Sequence, residues 1–434
     1  MSEVKIDPQQ IKSYVNEKIN KMTVLQLEFN NITPWWGGDY QGYTSDCVDE
    51  DEIVGRLRWF LTTVYNRFCI GNKDSISEYL GSTSGVSKYL FKVTDCKPEC
   101  NICYKSLERV SFITKGKKGN PNSYAPKDMR FRLQIIKRGT VNKDYIVAGG
   151  TLLTLAYIGI GRGANRGFGR FYPVNCNGMM SKDVRSICDK IIKGDIEGAF
   201  KEFYDKFKQL ECKGQNSPAS WKDSELPLAP RVADSKSQDP DVIKATQCTK
   251  EGIIDVINLI HCSTLKATFK VISYKIRIKD PGPFIHTWLF GFPRSVKRTG
   301  YFYRKGKRGE LKQLRRQSMF ILSPVKQSDK YTIYVLPFLS LKDHEEVLDN
   351  LIHIGYHNGS QHSINVKDLV NSNGSNPAGL NKNEHSYAKN NNNLSFGSGQ
   401  LANLIINYTN ELVNVINKLC VTNELVNKLC VQQK

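Results

Sequence analysis

Gly159-Ile160-Gly161-Arg162-Gly163-Ala164-Asn165-Arg166-Gly167-Phe168-Gly169-Arg170 is the stretch on which the fold turns. Ile146 to Ile158, just before it, reads as a buried apolar helix, and a short strand through Phe171 and Val174 follows. A dinucleotide-binding fingerprint needs the opposite order, a strand before the glycines and a helix after them. No G-x-x-x-x-G-K-[ST] string occurs in the chain, so a phosphate loop of that kind is excluded too. What is left is a glycine-floored backbone carrying Arg162, Arg166 and Arg170. Missing side chains let a ribose-phosphate chain approach the N–H groups while guanidinium groups pair with phosphate. A turn with solvated arginines has the same composition, and the loop alone does not separate the two.

Upstream, Lys21 to Asn30 alternates as a strand and is stopped by Thr33-Pro34-Trp35-Trp36-Gly37-Gly38. The acidic run Asp49 to Glu52 then opens a helix whose apolar residues, Ile53 to Phe68, follow the 3.6 period. Arg56 and Arg67 fall on one edge of its apolar stripe, Arg58 on the other, and Trp59 points away. An outward tryptophan needs a neighbouring loop, a stacked base or a subunit contact. Further strands are predicted at Leu107 to Thr114 and Met129 to Lys137, so the order is strand, helix, two strands, helix, strand.

Downstream, two amphipathic helices, Lys182 to Ile192 and Ile196 to Leu210, lead into a polar connector, Lys213 to Lys250. A strand with a basic face begins at Leu265, followed by a cationic patch with Arg294, Lys297, Arg298, Arg304, Lys305, Lys307, Arg308, Lys312, Arg315 and Arg316 against Glu310. Strands resume at Met319 to Leu322 and Tyr331 to Leu336. The stretch 371–395 holds nine asparagines in 25 residues and reads as a mobile insertion. The last helix carries Leu401, Ile405, Tyr408, Leu412, Val415 and Leu419 in heptad steps, which suits packing on its own domain or on a partner helix. Its end, Asn417 to Val421, recurs as Asn427 to Val431, too short a repeat to define an architecture.

A chain of 434 residues with 62 Lys plus Arg against 42 Asp plus Glu has room for several domains and a net charge of +20. That surplus calls for a polyanion, nucleic acid ahead of a membrane surface. Met1 to Asn20 lacks the apolar core of a signal peptide, and the uncharged stretch around the Ile146 helix is too short to span a bilayer, which places the chain in the cytoplasm without a membrane partner. Twelve cysteines are too dilute for a secreted disulfide scaffold. Cys96, Cys100 and Cys103 could supply three thiolates to zinc if Cys47 or Cys69 folded back as a fourth. Loop thiols or a local disulfide explain the same spacing, so no metal or other cofactor is assigned. Residues 1–260 contain no histidine. His286 beside Trp288 could act as general acid or base, and Asp39 and Asp46 could position a metal or RNA, but none of these composes a catalytic set.

Together the glycine loop, Thr33 to Gly38, Gly55-Arg56-Leu57-Arg58-Trp59, Gly81-Ser82-Thr83, Trp288 to Arg294, and Arg315-Arg316 followed by Ser323-Pro324 resemble the RAMP superfamily of CRISPR systems, and within it the family of first subunits of type III-B Cmr effector complexes. The resemblance implies an α+β chain of two ferredoxin-like (RRM-like) domains, the second degenerate, at 21–178 and 265–434, with a helical connector at 179–264 and a C-terminal helix. It implies a non-catalytic subunit that meets the 3′ region of the guide RNA and the paired target RNA, beside other RAMP subunits. The alternative within the superfamily is an endoribonuclease that processes guide precursors. The RNA-facing residues it implies are Trp35, Trp36, Arg56, Arg58, Trp59, Gly161, Arg162, Gly163, Arg166, Gly167, Arg170, Arg294, Lys297, Arg298, Arg315 and Arg316.

Overall fold

The computed structural model describes residues 7–37, 46–69, 75–83, 85–100, 126–212, 218–232, 239–264, 300–305, 310–313, 318–341, 351–355, 361–365 and 398–421. Arg294, Lys297, Arg298, Arg315, Arg316, His286, Asp39, Cys103, the strands predicted at Leu107 and Leu265, and the asparagine-rich stretch lie outside the described residues.

The first unit runs α1 (Pro8–Met22), β1 (Thr23–Asn31), α2 (Glu50–Phe68), α3 (Ser75–Leu80), β2 (Tyr89–Cys100), β3 (Asp128–Lys137), α4 (Asp144–Leu153, continuing into a π-helical turn, Thr154–Ile158), β4 (Phe171–Pro173) and β5 (Met179–Met180). Its sheet has the order β2-β3-β1-β4, with β5 paired on β1. With α2 and α4 as the two crossing helices this is the ferredoxin-like βαββαβ arrangement. Leu25, Leu27 and Phe29 of β1 alternate inward beside Ile135, Leu133 and Phe131 of β3, and the Phe29 and Phe131 rings stack at 5.5 Å. Asp49 caps α2 by accepting from the Asp51 amide, and Glu50, Asp51 and Glu52 sit at the positive end of the helix dipole. Ile53, Leu57, Phe60, Leu61 and Val64 then bury along one face against the sheet and α4.

Helices α5 (Lys182–Ile192) and α6 (Ile196–Glu211) follow, packed on α4 through Ile187 and Phe203. Both match the helices read from the sequence. Next come β6 (Lys244–Lys250), α7 (Ile253–Ser263), β7 (Gly300–Lys305), β8 (Glu310–Gln313), β9 (Phe320–Gln327), β10 (Lys330–Pro337), β11 (Leu351–Gly355), β12 (Gln361–Asn365) and α8 (Ser398–Val421). They build a sheet β6-β10-β9 and a second one, β12-β11-β7-β8. The sequence β6-α7-β9-β10-α8 with β10 central repeats the strand and helix order of the first unit up to its fourth strand, which the second unit lacks among the described residues. Residues 244–263 therefore belong to the second unit, β6 in the β6-β10-β9 sheet and α7 beneath it. The predicted connector, drawn to residue 264, ends earlier, because Thr246 and Cys248 turn inward and Val256, Leu259 and Ile260 pack beneath β9 and β10.

Helix α8 buries Ile405, Leu412, Val415, Ile416 and Leu419 in this core, so its heptad-like stripe serves its own unit. The units share apolar surface: Ile321, Val325, Leu336 and Phe338 pack into the core of the first. Arg67 at the end of α2 is 1% exposed, pairs with Asp241 at 2.9 Å and donates to the carbonyls of Ala219 and Ala229. Four pairs of described cysteines form disulfides: Cys47–Cys96, Cys69–Cys212, Cys176–Cys188 and Cys248–Cys420. Cys47 does fold back on Cys96, as a covalent partner and not as a fourth thiolate, which takes Cys96 out of a zinc set.

Candidate nucleic-acid interface

The glycine loop leaves the π-helical end of α4 and enters β4. Gly159, Gly161, Gly163, Gly167 and Gly169 all have positive φ, from 65° to 89°. A side chain at Gly159 would collide with the Arg170 guanidinium, and one at Gly169 with the Ile160 carbonyl oxygen, 1.9 Å away. Glycine is required at both, by conformation and by space.

The loop wraps around Arg170, which is 0% exposed. Arg170 Nη1 donates to the Phe168 carbonyl at 2.6 Å and Nη2 to the carbonyls of Ala164 at 2.9 Å and Leu322 at 3.2 Å, while Nε donates to Ser323 Oγ at 3.2 Å. Two of the acceptors lie on the loop and two on β9 of the second unit, so one guanidinium stitches loop to neighbour. The Leu322 amide also donates to the Asn165 carbonyl at 3.0 Å, and Arg166 pairs with Leu322 in a single parallel β-bridge.

Arg56 of α2 supports the loop from the other side, donating from Nε to the Gly159 carbonyl at 3.1 Å and from Nη2 to Asn165 Oδ1 at 2.6 Å. Burial pushes its guanidinium down to about 9, still charged at neutral pH. The same group lies 4.5 Å over the Trp59 ring, whose other neighbour is Phe338 of the second unit at 4.7 Å. Trp59 thus finds its partner inside the chain, at the junction of the two units. Arg58 donates to the Leu80 and Gly81 carbonyls and ties α2 to α3.

Trp35 is 0% exposed, and its indole N–H donates to Glu52 Oε2 at 3.2 Å. Trp36 is buried edge-on against Phe168. The Arg162 and Gly169 amides donate to the Trp36 and Pro34 carbonyls, so Thr33 to Gly37 forms one wall of the loop. Gly167 is closed in by Ile257, Ile260 and Pro324. Trp35, Trp36, Gly167 and Arg170 were expected to face RNA; the structure spends them on the interior, because the loop is a joint between two units as well as a surface.

The outward part of the loop is Gly161, Arg162, exposed Gly163 and half-buried Arg166. Arg162 lies over the Trp36 ring at 5.9 Å, which holds its charge at the rim. Glu52 sits beneath: burial raises its carboxyl to about 7, against the lowering effect of the Trp35 hydrogen bond. Glu52 and Asn165 were given no role from the sequence, and Ser323 was read only as part of a family motif. Glu52 was counted only among the charges opening a helix, and nothing in its spacing shows that it turns inward. Asp46, proposed for metal or RNA, is exposed and pairs with Lys127 at 3.0 Å. The described residues hold no cluster of three metal-ligating side chains and no helix long and apolar enough to cross a membrane.

Residues 28–172 match the sequence profile of the RAMP superfamily. A chain in the cryo-EM structure of type III-B Cmr-beta bound to cognate target RNA and AMPPnP, in the presence of single-stranded DNA, has a similar fold: TM-score 0.50 at 11% identity, covering 90% of this chain and 100% of that one. A chain of Cmr-beta bound to cognate target RNA aligns at TM-score 0.46 and 14% identity over 73% of this chain and 94% of its own. The crystal structure of Cmr1 from Pyrococcus furiosus in its apo form aligns at TM-score 0.45 and 17% identity over 80% and 95%. No curated protein sequence matches significantly.

Proposed function

With residues 28–172 as a RAMP-superfamily domain, we propose that this protein is a non-catalytic RNA-binding subunit of a type III-B CRISPR effector ribonucleoprotein. In this role it contacts the 3′ region of the guide RNA and the paired target RNA, beside other RAMP subunits, in the cytoplasm and without a cofactor. The observation that carries the reading is the outward rim Gly161-Arg162-Gly163, held rigid from below by Arg56 and Arg170 on a chain of net charge +20. A rigid, glycine-floored edge with guanidinium groups at its rim accepts a sugar-phosphate backbone without reading its bases. The arginines and lysines from Arg294 to Arg316 add to the same positive charge in this proposal.

The test is binding of labelled single-stranded RNA to the full chain across a salt series. Replacing Arg162 and Arg166 together by alanine is expected to weaken binding for all sequences alike and to flatten the salt slope by roughly 0.7 per lost phosphate contact. An unchanged slope removes the rim from the RNA site. Metal-independent cleavage of RNA that is lost in His286→Ala would replace the proposal with the endoribonuclease alternative.

A further inference from the structure

Helix α1 has no buried residue, yet it is amphipathic and capped at both ends. Asp7 accepts from the Gln9 amide, Pro8 occupies the first turn, and at the other end Thr23 Oγ1 donates to the Ile19 carbonyl as the chain passes directly into β1. At about 100° per residue, Ile11, Val15, Ile19 and Met22 fall on one stripe with Tyr14 and Lys18 at its side. Ile11, Tyr14, Val15 and Met22 are 48, 60, 44 and 43% exposed. The opposite face carries amides: Gln9, Gln10, Asn16 and Asn20. Lys12 lies at one border of the stripe and Lys21 at the other, while the Lys18 ammonium sits over the Tyr14 ring at 5.3 Å. A helix of this length is marginal in water unless its apolar face is covered.

We propose that α1 is a docking arm, its stripe seating in an apolar groove of another protein subunit whose rim carries carboxylates. The charges select this occupant. A second copy of α1 would bring Lys12, Lys18 and Lys21 against themselves with only Glu17 to offset them, and Glu17 is already paired with Lys21. A membrane helix would carry basic residues across its polar face, where α1 has amides. Acidic rim residues opposite Lys12 and Lys18 complete the match, and the apolar stripe, about 16 Å from Ile11 to Met22, is the length that a helix-in-groove contact uses. At the far end of the stripe a cleft of about 450 Å³, lined by Thr23, Val24, Met179, Met180 and Arg185 among others, opens beside the root of the arm. The proposal does not depend on the RNA reading.

The test uses the assembly purified from cells through a tag on this chain, with a photoreactive phenylalanine at Tyr14. The expected crosslink joins Tyr14 to a protein subunit, at a segment with apolar residues flanked by Asp or Glu. Ile11→Asp with Val15→Asp, and separately Lys12→Glu with Lys18→Glu, should each reduce that subunit in the assembly about ten-fold. Both variants should keep the unfolding midpoint and the RNA salt slope of the wild type, since no α1 side chain enters the core. A crosslink to a second copy, to RNA or to no protein, or normal recruitment by both variants, overturns the proposal. So does flotation of the wild-type chain on phosphatidylglycerol vesicles that Ile11→Asp abolishes. Loss of RNA from an assembly that still gives the Tyr14 crosslink counts against the RNA reading alone.

Discussion

Arg170 shows how much one side chain decides. Its guanidinium donates to buried carbonyls from two units, and truncation would remove those donors from the interior. Arg170→Ala is expected to cost ~3–5 kcal/mol in urea unfolding, whereas Arg162→Ala, at the rim, should stay within about 0.5 kcal/mol. Glu52 gives a pH signature. Its carboxyl is raised from the ordinary range to about 7 by burial, so the folded state holds its proton more tightly than the unfolded chain. The contribution is fully present below the ordinary carboxylate range and is lost as pH rises toward 7, about 3 kcal/mol at most. The stability difference between wild type and Glu52→Gln should therefore shift against the wild type from pH 5 to pH 7.5 and level off above; a difference independent of pH would exclude the buried carboxyl. Neither inward role was legible in the sequence. Composition counts an arginine as basic wherever it points, and a glycine loop has no period from which inside and outside can be read.

Among elements, those with strict periodicity were legible and those without it were not. β1, β3, α2, α4, α5, α6 and α8 follow from alternation or the 3.6 period. β2 was not read from the sequence, because Lys92, Asp95, Lys97 and Pro98 break the alternation of Tyr89–Cys100, and its register with β3 shifts between Thr94 and Lys97 and again between Pro98 and Cys100. α1 was passed over because its few apolar residues lie among amides. The loop itself depends on two positions. Gly169→Ala would place a Cβ on the Ile160 carbonyl at positive φ, and should lower stability by more than about 2 kcal/mol and weaken RNA binding together with it. Gly55→Ala on α2, with nothing near its missing side chain, is the matched control and should leave both unchanged or gain slightly in stability.

At the scale of the whole molecule, the repeated strand order and the shared apolar surface of Phe338, Ile321 and Val325 make one body of two related units. From the sequence the second domain starts at residue 265; β6 and α7, at 244–263, pack with β9 and β10, and the polar outer face of Lys244–Lys250 hides this in the sequence. The cross-links work at this scale. Cys69–Cys212 and Cys248–Cys420 close stretches 143 and 172 residues apart, and paired replacement of either bridge by serine is expected to cost ~2–4 kcal/mol in unfolding. A melting temperature that does not fall in reductant would show that the bridges are absent in solution.

The stitch from Arg170 and Asn165 to Leu322 and Ser323 sets a limit on how this gene can change. The first unit ends the glycine loop on acceptors it does not own, so a fragment stopping near residue 230 would carry a charged guanidinium with half its cage missing. Neither half can be inherited, swapped or deleted alone without its sibling's help, and a substitution at Ser323, far along the chain, would be felt as a fault in the rim. The two halves share a strand order; this seam makes each one's edge the other's concern.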